Sequence, residues 1–359
     1  MSRIFITDCE GPISKNDNAF ELSERLIPDG ARLFSLISKY DDIQVEIVRR
    51  QHYKPGDTLR LILPFLKAYG ATDALFRSIS EETLRLVPGA RETLGLVSKV
   101  MPSFIVSTSY AHYIESLCQL IGFPKSNTYS TKLDLDSFKI PDWEIERVKM
   151  WADKLTKLSP PRIPPKARSI QDFDKQDRES IEFLDQIIWH EILGMTIGRI
   201  ITIVKPVGGA EKVEAVKDIL RRHNSDLKQT VYFGDSITDS EPLKYVREGE
   251  GLAVSFNGNE YAIRQAELAI LSGDTLVTTI IALIFNKGGK EAVRQLVASW
   301  DYDQIEKTLG TQLGVKAEEV YHAGLPQVEI VTENNIERLT KESCLFRKQV
   351  RGEAIGSLG

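Results

Sequence analysis

Two stretches decide the fold: Ile4-Phe5-Ile6-Thr7-Asp8-Cys9-Glu10-Gly11 near the start, and Val231-Tyr232-Phe233-Gly234-Asp235-Ser236-Ile237-Thr238-Asp239 much further along. Each is a short apolar run that ends in acidic residues and a glycine. Runs this short, apolar on both faces, fit buried strands of a parallel sheet. Others recur at Phe104-Ile105-Val106 before Ser107, Ile200 to Val204 before Lys205-Pro206-Val207-Gly208-Gly209, Leu252-Ala253-Val254 before Ser255, and Leu268-Ala269-Ile270-Leu271 before Ser272-Gly273. Helical patterns lie between them, at Ala90 to Val100, Ala111 to Gly122 and Ala210 to His223. Strand, turn and helix in repetition predict an α/β fold, a doubly wound parallel (Rossmann-like) sheet.

The spacing of the runs places insertions. A βαβ crossover takes about 30 residues, and the first two runs lie much further apart than that. Residues 18 to 86 read as helices broken at Gly30, Pro55-Gly56 and Gly70, a helical cap over the sheet edge. A second, mostly helical insertion covers 131–199. It holds helices near Trp143 to Leu158 and Arg178 to Leu193, with an extended linker at Ser-Pro-Pro-Arg-Ile-Pro-Pro-Lys, 159–166, between them. The expected division is a core of 1–14, 87–130 and 200–275, the cap of 15–86, the insertion of 131–199, and a helical extension of 276–359 whose end, from Gly352, frays.

Composition removes several function classes. Of 359 residues 42% are apolar and 27% charged, enough apolar surface to exclude disorder. The net charge of −5 argues against a general nucleic-acid binder. Cys9, Cys118 and Cys344 are too few for a disulfide scaffold and fit a reduced, cytoplasmic compartment. No signal-peptide core precedes Asp8. The longest apolar stretch, Leu276 to Phe285, is about half the roughly 20 residues that span a bilayer, so it reads as a buried helix and membrane insertion is not expected.

In an open parallel sheet, ligands bind beyond the carboxyl ends of the strands. Asp8, Glu10, Ser107, Asp235 and Asp239 fall there, and Lys212, near the start of a helix, can reach the same edge. An Asp-x-Glu triplet arises by chance about twice in such a chain, a Gly-Asp-x-x-x-Asp string about 0.1 times. Both together, each directly after an apolar run, make a specific signal. Each residue also has a structural role open to it: Asp8 could cap the following turn, Asp239 could cap the next helix, Ser107 could cap a helix with Thr108 or Ser109 substituting for it, and Lys205 rivals Lys212. Arg49 to Lys54 could meet an anionic substrate, although a solvated charged face explains them more simply. His112, near Ser107, has no evident acidic partner. Cys9 lies between two carboxylates that disfavour a reactive thiolate.

Asp8-Cys9-Glu10-Gly11, Ser107, Lys212 and Gly234-Asp235-Ser236-Ile237-Thr238-Asp239 together resemble the four motifs of the haloacid dehalogenase (HAD) superfamily. The nearest branch is the phosphoserine-phosphatase-like one, to which Val87-Pro88-Gly89-Ala90-Arg91, Val106-Ser107-Thr108-Ser109-Tyr110, Gly251-Leu252-Ala253-Val254 and Ala266-Glu267-Leu268-Ala269-Ile270 are also similar. The resemblance covers roughly 3–14, 87–130 and 200–275 and leaves out both insertions. A narrower likeness is to archaeal proteins labelled energy-converting hydrogenase A subunit R, a label that says little about chemistry.

The resemblance implies a Mg²⁺-dependent phosphatase of a small phosphorylated metabolite. Asp8 would form an aspartyl-phosphate, Glu10 serve as general acid and base, Ser107 bond the phosphoryl group and Lys212 neutralise charge. Asp8, Glu10, Asp235 and Asp239 would make the metal set. Glu10 departs from the Asp usual there, which keeps transfer to a small alcohol open. Pro12 also departs from the pattern. A non-catalytic accessory subunit of a larger complex is the other alternative, and a homodimer stays open. No Walker motif or histidine metal spacing is present.

Overall fold

The computed structural model describes residues 2–309 and 324–358. Seven strands form one sheet: β1 Ile4–Thr7, β2 Ser103–Tyr110, β3 Thr128–Thr131, β4 Thr230–Gly234, β5 Leu252–Phe256, β6 Leu268–Leu271 and β7 Gln327–Ile330. Their order is β3-β2-β1-β4-β5-β6-β7. All neighbours are parallel except β7, which runs antiparallel to β6. The α/β fold is therefore the expected one.

The strands are apolar on both faces because both faces are covered, and their period of two sorts the side chains. Phe5, Ile105, Val231, Phe233, Leu252 and Val254 point to one face. There they meet α5 (Ala90–Val100), α6 (Ala111–Ile121) and the start of α13 (Leu276–Ala298). Ile4, Ile6, Phe104, Val106, Tyr232 and Ala253 point to the other, against α10 (Ala210–His223) and α11 (Ser240–Glu248). The Leu276 to Phe285 stretch is a buried helix, as expected, and α13 breaks its helical course at Gly289. Among the described residues, no helix is long and apolar enough to cross a membrane.

Helices α1 (Asn18–Leu26), α2 (Gly30–Ile43), α3 (Thr58–Ala68) and α4 (Asp73–Thr83) follow β1. The Asp17 side chain caps α1 by accepting from the Phe20 N–H at 2.9 Å. The second insertion supplies α7 (Asp142–Leu155), α8 (Lys175–Asp185) and α9 (Arg199–Ile203), with 159–166 free of regular structure. These helices share an apolar core with α1–α4.

Four features differ from the sequence reading. Ile200 to Val204 is not a strand but α9: Ile200, Ile201 and Val204 bury into the helical core, and a five-residue apolar run does not distinguish buried strand from buried helix. Strand β3 was not foreseen: it starts Thr-Tyr-Ser-Thr at the sheet edge, half-buried and polar, with no apolar run. Strand β7 interrupts the helical extension, ahead of α15 (Ile336–Arg351). The end does not fray after Gly352: it forms α16 (Glu353–Gly356), and Ile355 and Leu358 pack on the helical core. The part of the extension at 310–323, and Gly359, lie outside the described residues.

Candidate active site

The sheet order reverses between β1 and β4, the position where a crevice opens beyond the strand ends. Register aligns Thr7 with Phe233, so the next residues of both strands emerge side by side. The Asp8 N–H donates to the Phe233 carbonyl at 2.8 Å. Asp8 and Asp235 thus leave the sheet at one level. Gly11 turns the chain back with φ of 102°, and a Cβ there would stand 2.1 Å from the Asp235 Oδ2.

Asp8, Asp235 and Asp239 each place a carboxylate oxygen within 4.8 Å of the others. Lys212 lies between two of them. Its Nζ, on a fully buried side chain, is 3.0 Å from Asp8 Oδ2 and donates to Asp239 Oδ1 at 2.8 Å. Asp239 Oδ2 accepts from Ser236 N at 3.3 Å, closing a capping box on the short turn before α11, and from Asp235 N at 3.0 Å, while Oδ1 accepts from Tyr232 Oη at 2.7 Å. Asp239 sits at the N-cap position of α11, but its side chain makes no capping bond to that helix. Lys205 faces other grooves, so of the two lysines it is Lys212 that joins the carboxylates.

Electrostatics follow from burial. Desolvation, then the Asp239 carboxylate, pushes Asp8 well above the usual carboxylate range, against the pull of Lys212. Burial alone would lower the Lys212 ammonium, but Asp239 and Asp8 outweigh it and hold it above the usual lysine range. Glu10 stands outside the three-carboxylate cluster. Its Oε1 accepts from the Asn18 N–H at 2.7 Å, and burial, then Asp17, pushes it well up. The Cys9 thiol is pushed up by burial, then by Glu10 and Asp8, as an unreactive thiol should be.

A cavity of about 90 Å³ lies over these groups, between the strand ends and the helical layer. Asp8, Glu10, Asp235 and Thr108 line it, with Asp17, Asp41 and Asp42 from the first insertion. Ser107 does not line it: its Oγ accepts from the Ser109 N–H at 3.2 Å and is bonded to the Ser109 hydroxyl. The Thr108 hydroxyl is buried and has no hydrogen-bond partner. Asp8, Lys212, Asp235 and Asp239 are therefore together, Glu10 faces the same cavity, and Thr108 is nearer to it than Ser107.

The sequence reading missed two arginines. Arg347 Nη1 is ion-paired with Asp235 Oδ2, and Arg351 Nη1 reaches the same oxygen at 3.0 Å. They sit more than a hundred residues away, and their one local signal is the i, i+4 spacing that sets them on one face of α15. Two other expectations change in part. His112 does have an acidic partner, Asp73, at 2.9 Å to Nε2, yet it does not line the cavity. The run Arg49 to Lys54 does not line the cavity: Arg49, Gln51 and His52 are exposed, as a solvated face requires, while the half-buried Arg50 lies 2.5 Å from Asp185 and Lys54 is paired with Glu211.

No protein-family model matches the sequence, and no curated protein does. A solved structure, gene product AF1437 from Archaeoglobus fulgidus, is similar over the whole chain. It is 26% identical with a TM-score of 0.80, over 100% of this chain and 99% of that one. Two phosphoserine phosphatase structures align more loosely. The apo form is 10% identical, TM-score 0.42, over 76% of this chain and 96% of its own. A phospho-aspartyl intermediate analogue is 12% identical, TM-score 0.43, over 77% and 96%. None of the three is described as a hydrogenase component.

Proposed function

We propose that the protein is a HAD-type phosphatase that hydrolyses a small phosphomonoester through an aspartyl-phosphate on Asp8. The observation that carries this reading is the buried Asp8 carboxylate held 3.0 Å from Lys212 beside Asp235 and Asp239, at the switch point of the sheet. A buried carboxylate beside an ammonium, at the floor of a cavity, is the arrangement a nucleophile needs.

The donor set fits a hard divalent cation such as Mg²⁺: all three clustered groups are carboxylates, and such ions prefer oxygen. Asp8, Asp235 and Asp239 would hold it; bound there, it would offset the charge of a phosphoryl group beside three carboxylates. The chain's own residues do the rest. One Asp8 oxygen attacks phosphorus while Lys212 Nζ holds the other. Glu10, whose carboxyl is pushed well up by burial, then by Asp17, gives its proton to the leaving oxygen and then takes one from the attacking water. Its Oε1 already accepts from Asn18, which leaves Oε2 for that proton. The Thr108 hydroxyl, unpartnered and at the cavity wall, is placed to donate to a phosphoryl oxygen.

The test is Mg²⁺-dependent phosphate release from a panel of small phosphomonoesters, with and without small alcohols, using Asp8→Asn as control. Release that needs both Mg²⁺ and Asp8 supports the reading. Phosphate appearing on the alcohol instead would move it to phosphotransfer. Release that survives Asp8→Asn, or none from any ester, would overturn it.

A further inference from the structure

We propose that helix α15 is an internal competitor for the cation: Arg347 and Arg351 hold the Asp235 carboxylate until a divalent cation takes it, and cation binding undocks the C-terminal segment. This rests on the proposed function only for the presence of a cation at Asp235.

The first argument is charge. Asp8, Asp235 and Asp239 are three buried carboxylates, and Lys212, Arg347 and Arg351 are three buried cations against them. In this cluster carboxyl groups and cationic side chains are equal in number. A divalent cation entering it would meet two guanidinium groups already on Asp235, at a distance where like charges repel strongly away from bulk water. Arg347 is buried, 3% exposed; its Nη1 also donates to the Asp235 carbonyl at 3.2 Å, but its Nε has no hydrogen-bond partner.

The second argument is architecture. The first half of α15 is fixed to the α/β layer: Leu339 packs with Ile263 and Ala269, and Ser343 Oγ donates to the Gly258 carbonyl at 2.6 Å. The second half crosses the cavity. Besides Asp235, Arg351 donates through Nε to the Lys15 carbonyl at 3.1 Å and through Nη2 to the Asn16 carbonyl, on the segment that leads from β1 into α1. Beyond it, Ile355 and Leu358 rest on the helical core, and Leu358 lines the cavity. The segment therefore straps sheet to cap over the site. The cavity beneath is about 90 Å³, small beside the roughly 300 Å³ at which ligand pockets begin, and Arg347, Arg351 and Leu358 form part of its wall. Release of Asp235 to a cation frees the arginines that hold it closed.

The experiment compares Mg²⁺ binding by calorimetry to the full-length protein and to the Arg347→Met/Arg351→Met variant, without substrate. Removal of the competitor is expected to tighten binding by about tenfold or more. Hydrogen exchange of the unaltered protein is the second measurement, independent of whether the variant folds. Saturating Mg²⁺ is expected to speed exchange across residues 345–358. Equal affinity of the two proteins, or exchange over 345–358 that is unchanged or slowed by bound Mg²⁺, would overturn the proposal and leave the phosphatase reading standing. Binding to neither protein would overturn the proposal as well, and would remove the cation from the proposed chemistry. Phosphatase activity lost with the coupling intact would instead overturn the function alone.

Discussion

Lys212 shows how much one side chain carries here. It is fully buried, and its Nζ contacts both Asp8 and Asp239. Lys212→Met leaves two carboxylates facing each other out of water, and the expected loss is about 3–5 kcal/mol, read as a shift of the urea unfolding midpoint. A second residue gives a pH signature. Burial, then Asp57 and Asp42, pushes Asp41 up to about 7. Its Oδ2 still accepts from Gly56 N, Thr58 N and the Thr58 hydroxyl. A raised carboxylate favours the folded state when protonated. That contribution is fully present below the unfolded value near 4 and is lost as pH climbs through about 7. Asp41→Asn, neutral at every pH, is therefore expected to gain on the unaltered protein as pH rises from 5 to 8. The upper bound over that range is about 3 kcal/mol. Thermal unfolding of both proteins across that range checks it; a constant difference would mean that Asp41 stays charged at low cost.

Among the elements, the turn after β1 has little freedom. Gly11 has φ of 102°, and an added Cβ would stand 2.1 Å from the Asp235 carboxylate oxygen. Gly11→Ala should cost about 1–3 kcal/mol through backbone strain and move Asp235, lowering Asp8-dependent phosphate release by about 100-fold. A melting curve and an assay of the same preparation separate the two effects. This turn was legible in the sequence because apolar strand, acid and glycine follow one another there without a gap. The same local logic exposed β1, β2, β4, β5 and β6 and brought out Asp8, Lys212, Asp235 and Asp239. It failed where local pattern underdetermines structure. Ile200 to Val204 is β-branched like a strand, yet its partner is an apolar helical core rather than a sheet edge. Strands β3 and β7 are four-residue edge strands with half-buried, polar faces, which leave no apolar run to see. Arg347 and Arg351 sit in an ordinary amphipathic helix, and only the tertiary fold brings them to Asp235.

Across the whole molecule, the two insertions are not independent decorations. One apolar core joins Leu36, Ile37 and Leu63 from the first with Leu155, Leu184 and Ile188 from the second, and Ile355 and Leu358 close over it. A polar seam runs alongside: Tyr40 Oη donates to Asp185 and accepts from Trp189 Nε1 at 2.7 Å, while Arg50 is 2.5 Å from the same aspartate. Neither insertion can bury its apolar face alone, since each supplies the other's wall. Damage to one should therefore appear in the other. Leu184→Ala removes a fully buried side chain and should cost about 2–5 kcal/mol. If the insertions fold as one unit, amide exchange should quicken in α2 and α3 as well as in α8, while β1 and β4 keep their protection. Exchange confined to α8 would mean that the second insertion opens by itself.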